Sequence, residues 1–191
     1  MSNSFEIYGG TPLSGEVIPQ GAKNEALQVI ACTLLSAEKI TISNIPDILD
    51  VRMLIELLQD LGVDVEKHTP NEYTFQAKNV NLEFLISPEY KKKSGKLRGA
   101  VMLAGPLLAR FKKAYIPQPG GDKIGRRRLD THILGFEKLG ATYHYNDEEH
   151  FFKLEASQLT GTYMLLDEPS VTGTANILMA AVVAKGKTRI Y

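Results

Sequence analysis

The residues with the clearest chemical potential form one loop, residues 117–128, which reads PQPGGDKIGRRR. Its three glycines allow the backbone to approach a ligand closely, and its prolines stiffen the entry to the loop. Asp122 is the only carboxylate, and four cations follow it within six residues. This composition predicts a loop that surrounds an anion and places one acid beside it. A solvated basic turn before a helix is the alternative, but the glycine spacing and the lone acid favour the functional interpretation.

The composition narrows the classes of protein that the chain could represent. Its 191 residues carry 22 Lys and Arg against 22 Asp and Glu, so the formal net charge is zero. A general nucleic-acid binder needs a large positive surface, so we expect no nucleic-acid partner. The sequence shows no secretory signal at its start and no apolar run long enough to span a membrane. With a single cysteine, Cys32, predicted to be a buried small hydrophobe, these features predict a cytoplasmic protein without a membrane partner.

Three segments repeat one layout: a glycine, a strongly apolar helix and then a strand. They cover residues 21–42, 95–116 and 173–190, and the isoleucines that close them stand 74 residues apart. Regular spacing on this scale indicates a structural repeat. Because the first helix of each unit is apolar nearly all round, we expect it to be buried on every side.

A second half of the unit follows twice. Residues 50–62 and 129–140 have the apolar spacing of amphipathic helices that end in glycine, and each is followed by two short strands. The unit therefore reads helix, strand, helix, strand, strand. The sequence predicts an α/β fold of α+β repeats, with apolar helices central and small sheets outside. The repeats span about 21–94, 95–172 and 173–191, and the last is incomplete and should expose apolar surface.

Cations recur near helix starts in separate units. Lys23 and Asn24 follow Gly21, Arg98 occupies the equivalent place in the second unit, and Arg127 follows the glycine loop. A helix start offers free N–H groups and a partial positive charge. If the units pack around one axis, these cations converge on one anionic ligand; otherwise each is a surface cation, an interpretation that suits Arg98 equally well.

Asp130 and His132 flank the start of the second amphipathic helix. Asp130 could serve only as a stabilising acid at a helix start, and His132 could be an ordinary half-buried histidine. The remaining histidines lack the spacing of metal ligands, so no metal is expected. Neither a Walker A loop nor a G-x-G-x-x-G motif occurs, and no cofactor is expected. The lysines at 91–93 are predicted to form a solvated turn.

Several motifs together resemble one family, the UDP-N-acetylglucosamine 1-carboxyvinyltransferases, over residues 5–191. The motifs are Gly21-Ala22-Lys23-Asn24, Leu107-Leu108-Ala109-Arg110-Phe111, Pro119-Gly120-Gly121-x-x-Ile124-Gly125-x-Arg127, Asp130-x-His132 and Ser170-Val171-x-Gly173-Thr174. Members of that family have two domains of three repeats each and more than twice this length. The resemblance therefore implies that residues 21–191 are most of the catalytic-type domain. It also implies that residues 1–20 are a strand segment that belongs to the other domain. The remainder of that carboxyl-terminal domain is the missing partner.

The resemblance implies the reaction as well. The family transfers the enolpyruvyl group of phosphoenolpyruvate to the 3′-hydroxyl of UDP-N-acetylglucosamine, by addition and then elimination of phosphate, in the first committed step of peptidoglycan synthesis. Carried over by motif, Lys23 and Arg127 would hold phosphoenolpyruvate with Arg98 nearby, and Asn24 would contact the sugar nucleotide. Asp122 would be the catalytic acid of a lid that closes on the ligands. The site for the uridine diphosphate would be lined by Arg127, Leu129, Asp130, His132, Ser170 and Val171.

Three positions depart from the family pattern: most members have a cysteine where Asp122 stands, a lysine where Glu168 stands and a proline where Arg128 stands. Two alternatives remain. The same repeat fold serves 5-enolpyruvylshikimate-3-phosphate synthase, although the glycine loop argues against that enzyme. The chain could also be a non-catalytic module that binds a sugar nucleotide or RNA.

Overall fold

The computed structural model describes residues 4–117, 128–148 and 150–191. Asp122 and Arg127, two of the predicted catalytic residues, therefore lie outside the described residues. No helix within the described ranges is long and apolar enough to cross a membrane.

The first repeat unit has the predicted order of elements. It comprises α1 (Lys23–Cys32), β1 (Lys39–Ile42), α2 (Leu49–Asp60), β2 (Asp64–Thr69) and β3 (Glu72–Gln76). The last strand lies in the middle of the sheet, because β3 pairs antiparallel with both β1 and β2.

A helix that the sequence analysis missed joins the first unit to the second. The lysines at 91–93 belong to α3 (Pro88–Ser94), so the predicted solvated turn is wrong. Ser87 caps this helix by accepting a hydrogen bond from the Tyr90 N–H, and Pro88 is its first residue. Positive side chains in the last turn stabilise a helix through its dipole, which explains why three lysines fit there.

The second unit repeats the first. It comprises a 3₁₀ helix (Arg98–Leu103), α4 (Ala104–Phe111), β4 (Lys113–Pro117), α5 (Asp130–Lys138), β5 (Thr142–Asn146) and β6 (Phe151–Glu155). Its sheet again has the last strand, β6, between the other two. The predicted order of helix, strand, helix, strand, strand is confirmed in both units.

The third unit supplies α6 (Val171–Ala181) and β8 (Arg189–Ile190), which pairs in parallel with β7 (Tyr163–Met164). The predicted exposure of apolar surface is confirmed here, since Val171, Leu178 and Val182 are each more than half exposed. Helix α4 is buried along Ala104–Ala109, as expected. The expectation of burial on every side is wrong for α1 and α6, because each keeps an exposed face that includes Val29 on α1 and Leu178 on α6.

Two glycines bring α6 against the helices of the second unit. A Cβ at Gly105 on α4 would collide with the backbone oxygen of Asn176 on α6. A Cβ at Gly135 on α5 would collide with the side chain of Ile177. The middle of α6 is therefore held against the start of α4 and the middle of α5.

Arg110 ties the second unit to the first. Its guanidinium donates hydrogen bonds to the backbone oxygens of Leu34, Ser36 and Ala77, at 3.0, 2.9 and 2.7 Å. One planar cation thus satisfies three carbonyl groups where the chain leaves regular structure. The motif Leu107-Leu108-Ala109-Arg110-Phe111 therefore helps to hold the first two units together.

Candidate active site

A cleft of about 470 Å³ opens where the three repeat units meet. Its walls are formed by Asn24, Leu27, Gln28, Arg98, Gly99, Met102, Arg128, Glu168, Pro169, Ser170, Val171 and Thr172. The first unit contributes the start of α1, the second the start of its 3₁₀ helix, and the third the start of α6. Four of the residues predicted from sequence are therefore brought together: Asn24, Arg98, Ser170 and Val171.

The start of α6 is built by its own sequence. Ser170 caps the helix, because its hydroxyl accepts a hydrogen bond of 3.1 Å from the Gly173 N–H. A Cβ at Gly173 would stand 2.9 Å from the Ser170 hydroxyl and 3.0 Å from a methyl carbon of Thr131. The glycine thus permits the close approach of this turn to α5. A helix start of this kind provides N–H groups and a partial positive charge toward the cleft.

The charged side chains of the cleft belong to Arg98, Arg128 and Glu168. Arg128 forms an ion pair with Asp130 of α5, and this hydrogen-bonded carboxylate raises the pKa of Arg128. Asp167 and Glu168 add smaller contributions in the same direction. Both acids also accept hydrogen bonds from the Thr131 hydroxyl, at 2.7 and 3.3 Å. The cleft therefore combines two guanidinium groups with a helix start, an arrangement suited to an anionic ligand that can make several hydrogen bonds.

Lys23 occupies the first position of α1, next to Asn24, but its side chain is not part of the cleft wall. Its ammonium nitrogen lies 2.8 Å from a carboxylate oxygen of Asp50 in the first turn of α2. Both side chains are about two-fifths exposed. Asp50 holds the lysine beside the start of α2, and the carboxylate partly offsets its charge.

His132 lies behind the cleft wall, with only 2% of its surface exposed. Burial, and then the charge of Arg98, lower the pKa of His132 to about 4, so its imidazole is neutral at pH 7. Leu129, the residue before α5, is buried as well. Neither side chain is in the wall of the cleft, and a direct contact of either with a ligand stays a prediction.

A family model described as EPSP synthase (3-phosphoshikimate 1-carboxyvinyltransferase) matches residues 7–191. The chain belongs to the EPSP synthase family. Among solved structures, the enolpyruvyl transferase NikO from Streptomyces tendae shares the fold with a TM-score of 0.75 and 18% identity, over 95% of this chain and 42% of that one. An EPSP synthase from Acinetobacter baumannii gives a TM-score of 0.67 at 18% identity, over 92% of this chain and 40% of that one. At these identities the likeness establishes the fold alone.

Closer relatives within the EPSP synthase family carry a more specific name. The UDP-N-acetylglucosamine 1-carboxyvinyltransferase of Bacteroides fragilis is 61% identical over 98% of this chain. The protein of the same name from Porphyromonas gingivalis is 57% identical over the same share. In both cases the match covers 43% of the relative. The chain thus spans less than half the length of these family members.

Sequence reasoning missed three polar residues of the candidate site in this chain: Gln28 and Thr172 in the cleft wall, and Asn176 behind it. A signal for Asn176 was present, since Gly173-Thr174-Ala175-Asn176 repeats the pattern of Gly21-Ala22-Lys23-Asn24. Within the described ranges, no group of three His, Cys, Asp or Glu side chains could hold a metal ion.

The buried His132 predicts a fall in stability at mildly acidic pH. At pH 7.5 and above, about a unit or more over the ordinary pKa of about 6.5, the histidine is neutral in both the folded and unfolded chain and carries no penalty. As the pH falls, His132 binds a proton in the unfolded chain around its ordinary pKa, whereas in the folded chain it binds one only near pH 4. We expect His132 to lower the free energy of unfolding by about 2 kcal/mol between pH 7.5 and pH 5.

Urea unfolding of the chain and of His132→Gln across this pH range measures the effect. Glutamine cannot titrate, so the variant should lose about 2 kcal/mol less than the parent between the two pH values. Stability curves that run parallel with pH would contradict a buried neutral histidine.

Proposed function

We propose that the chain is the amino-terminal part of an enzyme that transfers the enolpyruvyl group of phosphoenolpyruvate to the 3′-hydroxyl of UDP-N-acetylglucosamine, with release of phosphate. The observation that carries this proposal is the cleft itself. The starts of α1, of the 3₁₀ helix and of α6 bring Asn24, Arg98 and Ser170 to one cleft, in a chain 61% identical to a UDP-N-acetylglucosamine 1-carboxyvinyltransferase. The reaction would serve peptidoglycan synthesis in the cytoplasm, where both substrates would be met in solution.

The roles of the individual residues are part of the proposal. Lys23, which is paired with Asp50, and Arg127 would bind phosphoenolpyruvate. Asn24 and Arg98 would contact the ligands from the cleft wall. Ser170 and Val171 would bind the uridine diphosphate at the start of α6. Leu129, Asp130 and His132 would support that wall. Asp122 would protonate the methylene carbon of phosphoenolpyruvate as the 3′-oxygen adds to C2, while a base of the second domain would take the proton of the 3′-hydroxyl. In the elimination step the same carbon would lose a proton as phosphate leaves, which would restore the double bond.

The domain arrangement is proposed on the basis of exposure. Residues 4–20 carry no regular secondary structure and every one of them is exposed. Phe5, Ile7 and Leu13 are at least 87% exposed, which suits a segment that packs on another body. We therefore assign residues 21–191 to the catalytic-type domain and residues 1–20 to a second domain. The rest of that second domain would be the carboxyl-terminal part of the complete enzyme, and it would be the partner of the catalytic-type domain.

A shikimate-type acceptor is the second candidate, because the family model is named for EPSP synthase. The identities favour the sugar nucleotide, since relatives named for it reach 57–61% whereas the EPSP synthase structure shares 18%.

Acceptor-dependent release of phosphate separates the two candidates. The complete product of the gene, supplied with phosphoenolpyruvate, should release phosphate with UDP-N-acetylglucosamine and not with shikimate 3-phosphate. The reverse preference would refute the proposal, as would phosphate release by neither. The isolated 191-residue chain should show no turnover, because catalysis needs groups positioned on both sides of the substrates.

A further inference from the structure

A line of buried hydrogen bonds runs from α4 to the wall of the cleft, and Asn176 lies at its centre. The Asn176 side chain is fully buried. Its Oδ1 accepts a hydrogen bond of 2.6 Å from the Gly105 N–H, and its Nδ2 donates one of 2.8 Å to the Val101 oxygen. A backbone N–H can only donate and a carbonyl can only accept, so these partners fix the orientation of the amide. The Nδ2 group also lies 3.0 Å from Nδ1 of His132 and must donate to it.

This contact determines where His132 carries its proton. Because Nδ1 accepts from Asn176, the neutral imidazole must carry its hydrogen on Nε2. The Nε2 atom lies 3.3 Å from the hydroxyl oxygen of Thr172, which therefore accepts a hydrogen bond from the ring. With its oxygen engaged as an acceptor, Thr172 has its own hydroxyl proton left for a different acceptor.

Thr172 is exposed in the cleft wall, in the first turn of α6. We propose that the Thr172 hydroxyl donates a hydrogen bond to an oxygen of the anion bound in the cleft, and that His132 and Asn176 are positioning residues that set the direction of this bond. Since it rests on the proposed function, the acceptor is a phosphate oxygen of a nucleoside diphosphate sugar. The hydrogen bonds then form one line of donors that ends at the ligand and runs through the Gly105 N–H, Asn176, His132 and Thr172.

Calorimetric titration of the complete protein with UDP-N-acetylglucosamine tests the end of this line. Thr172→Val removes the donor and keeps the shape, and should weaken binding about tenfold. Thr172→Ser keeps the hydroxyl and should bind within about twofold of the parent. Thr174→Val, on the same helix but outside the cleft wall, is the matched control and should also stay within about twofold.

The direction of the bonds is tested separately. Nitrogen-15 NMR of the histidine rings should show His132 with its hydrogen on Nε2 at pH 7, with or without ligand. In Asn176→Asp the carboxylate can only accept from His132, so the ring hydrogen should move to Nδ1. Thr172 would then have to donate to Nε2, and sugar-nucleotide affinity should fall to the level of Thr172→Val.

The possible failures are distinguishable. Parent-like affinity of Thr172→Val, or a hydrogen on Nδ1 of His132 in the parent, overturns the inference and leaves the proposed function standing. If the parent protein does not bind UDP-N-acetylglucosamine, both the inference and the proposed function are refuted.

Discussion

Replacing Lys23 by alanine is expected to lower the rate of enolpyruvyl transfer in the complete enzyme by about one and a half to four decades. A charge-assisted partner of a largely desolvated anion contributes about 2–5 kcal/mol, which corresponds to that range of rates. The ion pair with Asp50 restrains the Lys23 side chain before the ligand arrives, so little side-chain freedom is lost on binding. Initial rates of phosphate release at saturating acceptor measure the effect.

Lys39→Ala is the matched control, because Lys39 is exposed at the start of β1 and lies outside the cleft wall. Its rate should equal that of the parent. Arg127→Ala is expected to show a loss of the same size as Lys23→Ala. Losses below threefold in both variants would mean that the anion site has been assigned to the wrong residues.

Asp122→Ala is expected to lower turnover by about two to four decades, the usual contribution of a positioned general acid. An aspartate donates a proton near neutral pH only where burial or neighbouring negative charge raises its pKa. The phosphate and carboxylate of phosphoenolpyruvate would supply that charge when this substrate is bound. Rates measured in single turnovers isolate the chemical step from product release. An Asp122→Ala enzyme with full activity would refute the assignment.

The identity of residue 122 also predicts the response to fosfomycin, an epoxide that the family resemblance implies would alkylate a cysteine at this position. A carboxylate is a much weaker nucleophile than a thiolate toward an epoxide, so the enzyme should resist inactivation. Asp122→Cys should create sensitivity, with a single adduct by mass spectrometry. Cys32 is half-buried and its burial raises the pKa of the thiol, so this internal control should remain unmodified. Inactivation of the unsubstituted enzyme at Asp122 would contradict the prediction.

The fold could be predicted from the sequence wherever it repeats. The 74-residue spacing of Ile42, Ile116 and Ile190 indicated three equivalent units, and the structure places each of these isoleucines at or next to the end of a strand. Helix α3 was missed because it has no counterpart in the repeat and because consecutive lysines suggest a solvated turn. The burial of Tyr90 and the cap from Ser87 stabilise α3, and neither feature is evident from its lysine-rich composition.

The candidate site was predictable only in part, for a related reason. Asn24, Arg98 and Ser170 stand at equivalent helix starts, so a repeat packed around one axis brings them together. Asn176 and Thr172 act through partners that lie far away in the sequence, since Asn176 bonds to residues 75 and 44 positions earlier. Local pattern carries no information about such contacts. His132 stays a predicted site residue, and its burial behind the wall follows from the close packing of α5 against α6.

The most direct test of the account is a crystal structure of the complete protein with UDP-N-acetylglucosamine bound. The account predicts that the ligand occupies the cleft between the starts of α1 and α6, with its diphosphate within hydrogen-bond distance of Arg98 and Thr172. A sugar nucleotide bound elsewhere, leaving this cleft empty, would contradict the central claim.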